Sequence, residues 1–94
     1  MYFVWDERKN RANQRKHGIS FETAILVFRD ALHLSTQDRE VEGELRWQTL
    51  GMVRETQVLL VAHTVLEVGN EEVIRIISAR KATARERSIY AGHG

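Results

Sequence analysis

The run VIRIISARKATARERSIY, Val73 to Tyr90, changes character half-way along. Val73, Ile74, Ile76 and Ile77 supply the β-branched bulk that suits a packed strand. Thr83-Ala84-Arg85-Glu86 then has capping-box spacing, a hydroxyl at the N-cap and a carboxylate three residues on, so a helix follows. Arg75, Arg80, Lys81, Arg85 and Arg87 surround the junction, with Glu86 the one acid among them. A strand that carries cations to its end and turns there into a helix is well suited to hold phosphate. Alternation without a bulge puts Arg75 and Ile77 on one face and Ile74, Ile76 and Ser78 on the other.

Working back from this run, Gly69-Asn70-Glu71 is a turn, and Gln57 to Val65 (QVLLVAHTV) is the most apolar segment and the central strand. Arg54-Glu55-Thr56 is the turn before it. Glu44 to Met52 alternates Leu45, Trp47 and Thr49 against Arg46, Gln48 and Leu50, the pattern of a half-buried strand. Asp38 to Gly43 reads as an acidic turn and Ala31 to Gln37 as a short first strand. Turns this short make the strands antiparallel neighbours. Upstream, Ser20 caps a helix whose Phe21, Ala24, Ile25 and Phe28 share one face. Asp6 and Gly18 bracket another helix of about three turns. That helix is polar on every side, so flanking Trp5 and polar contacts must fix it. Met1 to Trp5 is an apolar lead-in, an edge strand or a core anchor. The predicted fold is α+β: two N-terminal helices, a four-stranded antiparallel β-sheet and a C-terminal helix, one domain over residues 1–94.

Composition narrows the chemistry. Ninety-four residues hold a single core. With no cysteine there is neither a disulfide framework nor a thiolate metal site. No apolar run has the length of a signal peptide or of a membrane span, which predicts a cytoplasmic protein with no membrane role. The net charge of +1 conceals segregation: residues 1–17 carry +3, residues 18–72 carry −6 and residues 73–94 carry +4. If the two ends meet in space, they form a basic patch against an acidic middle, the footprint of a polyanion binder.

Among candidate residues, His17, His33, His63 and His93 show no metal-ligand spacing, and no cofactor is predicted. His63 lies inside the apolar strand, where a hydrogen-bonded structural role competes with a chemical one. Ser78 lacks a nucleophile elbow, and Glu40, Glu42 and Glu44 read as a solvated rim. The remaining candidates are cations. Arg46 shares a strand face with Gln48, while Arg75 and Arg80 flank the last strand and Lys81 follows. A guanidinium fork matches two phosphate oxygens at once. Equally, Arg75 can pair with Glu44 or Glu72 on a neighbouring strand, and the chemistry alone leaves both readings open.

Three motifs go further: W-D-x-x-K-x-x-x-N-x-x-K-H-G-I-S-F-E-x-A (Trp5 to Ala24), G-E-x-R-W (Gly43 to Trp47) and R-I-I-S-A-R-K-A-T-x-x-E-R-x-x-Y (Arg75 to Tyr90). Together they span nearly the whole chain, which resembles the BrnT family of toxins. The resemblance implies a RelE-like fold and a metal-independent endoribonuclease that cuts messenger RNA and arrests growth. It also implies a BrnA-like antitoxin with a ribbon-helix-helix part, which binds operator DNA when the complex represses its own operon. The implied reaction is attack of a ribose 2′-OH on the adjacent phosphate. Arg46, Arg75 and Arg80 would then bind the phosphate with Lys81 assisting, His63 would move a proton, and Tyr90 would close the site or orient a base. Lys16 and His17 match the K-H-G element, at the cleft edge or in antitoxin contact. The chain departs from its relatives at Ala84 and at the short His93-Gly94 end, where more charge is usual. The rival reading is a non-catalytic nucleic-acid-binding or partner-binding regulatory module.

Overall fold

The computed structural model describes residues 1–93. Its elements in order are β1 (Tyr2–Val4), α1 (Glu7–His17), α2 (Phe21–Ala24) leading directly into a 3-10 turn (Ile25–Arg29), β2 (Leu34–Val41), β3 (Glu44–Val53), β4 (Gln57–Val68), β5 (Glu71–Lys81) and α3 (Ala84–His93). They form one five-stranded sheet in the order β1-β5-β4-β3-β2. The last four strands are antiparallel, as the short turns require, but β1 pairs with β5 in parallel. The sheet is therefore mixed and five-stranded, which corrects the predicted four-stranded antiparallel sheet. Three residues with no turn beside them give β1 no pattern of its own; it is a strand because β5 offers an edge.

The pair of N-terminal helices needs correcting too. α1 stands as expected, with the Asp6 carboxylate accepting from the Arg8 amide and Gly18 at φ +73 ending it. The second is a single α-turn that tightens into 3-10 geometry. The tightening brings its backbone onto β3, where a Cβ on Gly51 would lie 2.6 Å from Val27 Cβ and 2.8 Å from the Val27 carbonyl. Gly51 marks a close approach rather than a turn. β2 also runs further than its composition suggests, through a register shift between Gln37 and Glu40, so the β2–β3 turn shrinks to Glu42-Gly43, both at positive φ.

α1 and α2 cover one face of the sheet, where Phe21, Val27, Leu59, Val61 and Ile76 make the main core. The polar α1 is fixed there by two buried asparagines. Asn10 accepts from the Phe21 amide at 2.8 Å and donates to Glu22 at 2.9 Å. Asn13 donates to the Ala79 and Ile19 carbonyls, both at 2.8 Å, and accepts from the Ala79 amide at 3.1 Å. Its carboxamide thus occupies the place of a neighbouring strand where β1 no longer covers the edge of β5. Trp5 completes the attachment, edge-on to Phe21 at 6.1 Å between ring centroids.

The alternation of β5 is broken once. Ala62 pairs with Ser78 but His63 with Ile76, so Ile77 is one residue too many and forms a β-bulge. Ile74, Ile76 and Ala79 then point into the core, while Arg75, Ser78 and Arg80 share the opposite face. This overturns the unbulged alternation expected from sequence.

Two substitutions test this architecture. Asn13→Ala strands two carbonyls and an amide and should cost about 2–3 kcal/mol in urea unfolding. Gly51→Ala forces the Val27 turn away from β3 and should cost about 1–3 kcal/mol, with no change in m-value.

Candidate functional site: the open face of the sheet

The second face of the sheet is covered only in part. α3 lies over a small apolar cluster of Leu50, Val58, Leu60 and Ala82, against which Tyr90 packs. The helix has no fully buried residue, and polar links hold it. Thr83 and Glu86 form the capping box expected of them: the Thr83 amide donates to Glu86 at 2.9 Å, and the Glu86 amide donates to the Thr83 hydroxyl at 3.2 Å. Arg80 grips the same carboxylate with both Nη atoms, at 2.7 and 3.0 Å. These contacts, led by the Arg80 hydrogen bonds, hold the Glu86 carboxyl down to about 2. At the other end of the helix, the Tyr90 hydroxyl donates to Asp30. That bond, together with partial desolvation, pushes the phenol up to about 12. Against the cost of its own partial burial, Asp30 is held below the usual carboxylate range by Tyr90 and by the Met52 and Leu32 amides.

Beyond α3 the face is bare. Register places Thr64 opposite Arg75 and, one pair past Trp47 and His63, opposite Arg46. Arg46, Thr64 and Arg75 therefore form a row across β3, β4 and β5, the outer two separated by about 10 Å at the backbone. Thr64 is 6% exposed, while the Arg75 side chain keeps 45% of its surface. Arg75 pairs with Glu44, one of the two carboxylates open to it from sequence. Arg46 is half-buried, has no ion pair among the described residues, and its Nε is enclosed without a hydrogen-bond partner. Arg80 shares this face but sits four β4 residues along, roughly 13 Å from Arg75, and is committed to Glu86.

The other sequence candidates lie elsewhere. His63 is on the covered face, 1% exposed, with Nε2 at 2.7 Å from the Thr49 hydroxyl and its ring edge-on to Phe28 at 5.1 Å. It is not brought to the arginines. Lys16 and His17 line a shallow recess at the outer edge of β5, with Lys9, Ile77 and Ser78. The two end segments of the chain therefore meet, because α1 packs on β5, but the cations of this recess all come from α1. Lys81 is exposed and paired with Leu59, facing away from Arg46. Two residues that were not among the sequence candidates for the site become prominent. Glu44 shares the Arg46 face because the two are two positions apart on one strand, a signal present in the alternation. Asp30 had no local signal; its partner is sixty residues away.

The result is a small α+β domain that presents arginines on a half-covered sheet, the build of a protein that handles a polyanion. Comparison with known proteins makes this definite. The family model for BrnT, the ribonuclease toxin of type II toxin–antitoxin systems, matches residues 5–86. The chain belongs to the BrnT family. The 1.1 Å crystal structure of the Brucella abortus ribonuclease toxin BrnT superposes with a TM-score of 0.62 at 29% identity, covering 88% of this chain and 97% of that one. No curated protein matches the chain. Membership brings an antitoxin partner and an RNA substrate with it.

Burial pushes His63 below its ordinary value of 6.5. The unfolded chain takes up a proton near pH 6.5 that the fold refuses, so this stabilisation is complete above that pH and is lost as pH falls below it. His63, His33 and Glu72 line one recess on the covered face. The unfolding free energy from urea titration should fall between pH 7.5 and 5.5 by up to about 1.4 kcal/mol per pH unit, and His63→Gln should flatten that slope.

Proposed function

We propose that the chain cleaves single-stranded RNA on the open sheet face, by turning a ribose 2′-OH against the adjacent phosphate. The observation that carries this reading is Arg46: a half-buried guanidinium with an unpartnered Nε and no carboxylate of its own. Such a group holds its charge and donors ready for an anion, and the enclosure by protein strengthens the interaction. Arg75 stands across Thr64 from it, and Glu44 beside Arg75.

In the proposed step the 2′ oxygen bonds to phosphorus and the P–O5′ bond breaks. The 2′ proton passes to the Glu44 carboxylate, and water returns a proton to the departing 5′ oxygen. The products are a 2′,3′-cyclic phosphate and a 5′-hydroxyl end. Arg46 and Arg75 stabilise the charge that develops on the non-bridging oxygens, where fixed donors gain most. Arg80 acts through α3, holding it at the border of the site, and Tyr90 anchors the far end of that helix. Lys9, Lys16 and His17 extend the cationic track around the β5 edge for flanking phosphates. Buried His63 keeps the β3–β4 pairing dry and takes no proton from substrate. No metal is required by this scheme, and the antitoxin of the ribbon-helix-helix class is the partner expected.

Purified protein with a single-stranded RNA in EDTA should yield cyclic-phosphate ends. Arg46→Ala should slow cleavage about 10²-fold while leaving the unfolding midpoint close to wild type. Arg46→Lys should recover only part of the loss, because an ammonium lacks the planar fork. Cleavage at the wild-type rate by Arg46→Ala would remove this site.

A further inference from the structure

The two hairpin turns at Glu42-Gly43 and Gly69-Asn70 fall at the same end of the sheet, because β2 to β5 form a simple meander. The N-terminus reaches that end as well, with Tyr2 beside Val73. The acids of the middle of the chain gather here: Glu40, Glu42, Glu67, Glu71 and Glu72. The N-terminal ammonium pairs with Glu71 at 3.0 Å. Glu67 and Glu72, however, are directly opposite one another across β4 and β5, and among the described residues no cation bridges them. Like charges facing each other across a ladder destabilise it.

The same end is unusually apolar. Of the nine large hydrophobic side chains that the described residues leave exposed, six are here, including Tyr2 at 59%, Leu66 at 61% and Val68 at 58%. Register puts Tyr2, Val4, Leu66 and Val68 on the open face, adjoining the Arg46–Thr64–Arg75 row. Val4, Leu45 and Leu66 line one cleft of about 550 Å³ whose wall also includes Glu44, Glu67, Thr64 and Arg75. Beyond the Arg75–Glu44 pair, the outer part of this cleft is apolar and bounded by Glu67, a poor match for RNA, whose phosphates that carboxylate and the neighbouring hairpin acids repel. It matches a polypeptide that offers an apolar side chain between basic ones.

We infer that the antitoxin docks around this acidic hairpin end, setting an apolar side chain into the Val4–Leu45–Leu66 cleft on the open face and basic side chains around the hairpin against Glu67 and Glu72, which the register turns to the opposite face. This rests on membership of a toxin–antitoxin family, and it also gives neutralisation a physical cause. A segment seated in the cleft lies against Arg75 and Glu44 and covers the arginine row. The cross-strand acids, a cost to the free toxin, are then offset in the complex.

The test is calorimetric titration of the antitoxin encoded beside the toxin into the full chain, with RNA cleavage read on the same samples without antitoxin. Leu66→Ser/Val68→Ser alters only exposed side chains outside the cleavage site and should weaken antitoxin binding at least tenfold. Glu67→Gln/Glu72→Gln should weaken it too and flatten its salt dependence, while raising the toxin's own unfolding midpoint. Both variants should cut RNA at no less than the wild-type rate and resist neutralisation in cells. Antitoxin affinity within twofold of wild type in both variants would overturn the inference. So would loss of RNA cleavage with antitoxin binding intact, which gives this face to RNA, or a toxin dimer that only the Leu66/Val68 variant dissociates while still binding antitoxin normally. A wild-type chain that binds antitoxin but cuts no RNA would count against the cleavage site alone, since the docking readout is binding.

Discussion

One surplus residue in β5 sets the geometry of everything on the open face. The bulge at Ile77 resets the alternation, so that Ala79 turns inward beside Ile76 and Arg80 turns outward with Arg75. Without it, Arg80 would point into the core beside Ile74 and Ile76, where an unpaired guanidinium is prohibitively costly. With it, Arg80 reaches over the sheet to Glu86 and holds α3 in place. The inward Ala79 in turn presents the amide and carbonyl that Asn13 clamps. The anchoring of α1 and of α3 therefore depends on the same irregularity, acting on opposite faces.

Polar contacts carry work that apolar stripes usually do in a domain of this size. α1 has no hydrophobic face; two carboxamides, each satisfied on both oxygen and nitrogen, hold it against the sheet. α3 is held by a bidentate ion pair, a capping box and a phenol–carboxylate bond, with little burial. Such contacts are directional, so they fix orientation more sharply than a greasy stripe would. They also leave much of the second face uncovered, and that surface carries the arginines proposed to bind substrate and the cleft proposed for the antitoxin. The charge segregation along the chain becomes segregation in space: the basic α1 lies along the β5 edge and the acids gather at the hairpin tips.

Local chemistry announced itself in the sequence, and long-range partners did not. The Thr83–Glu86 box, the Asp6 and Gly18 caps, the turns and the period-two strands all follow from residues within a few positions of one another. The need for polar fixation of α1 was also legible, though not that Asn10 and Asn13 supply it. β1 escaped because three residues with no neighbour in sequence become a strand only once β5 exists. The bulge escaped because Ile77 looks like any β-branched strand residue. Among the site candidates, Arg46 and Arg75 are brought into one row, whereas the histidine of the central strand faces the other way, a consequence of register that alternation within a single strand does not reveal. Glu44 carries no mark of its own in the sequence, since nothing local distinguishes a carboxylate beside an arginine row from a solvated one.

The most direct test of the central claim is an NMR titration of the isotope-labelled chain with single-stranded RNA whose 2′ oxygens are methylated, so that it binds without being cut. The account predicts amide shifts centred on Glu44 to Gln48, Ala62 to Thr64 and Arg75 to Arg80. Shifts gathered instead around Arg29, Leu32 and Arg54 at the far end of the sheet, with Arg46 and Thr64 unmoved, would contradict it.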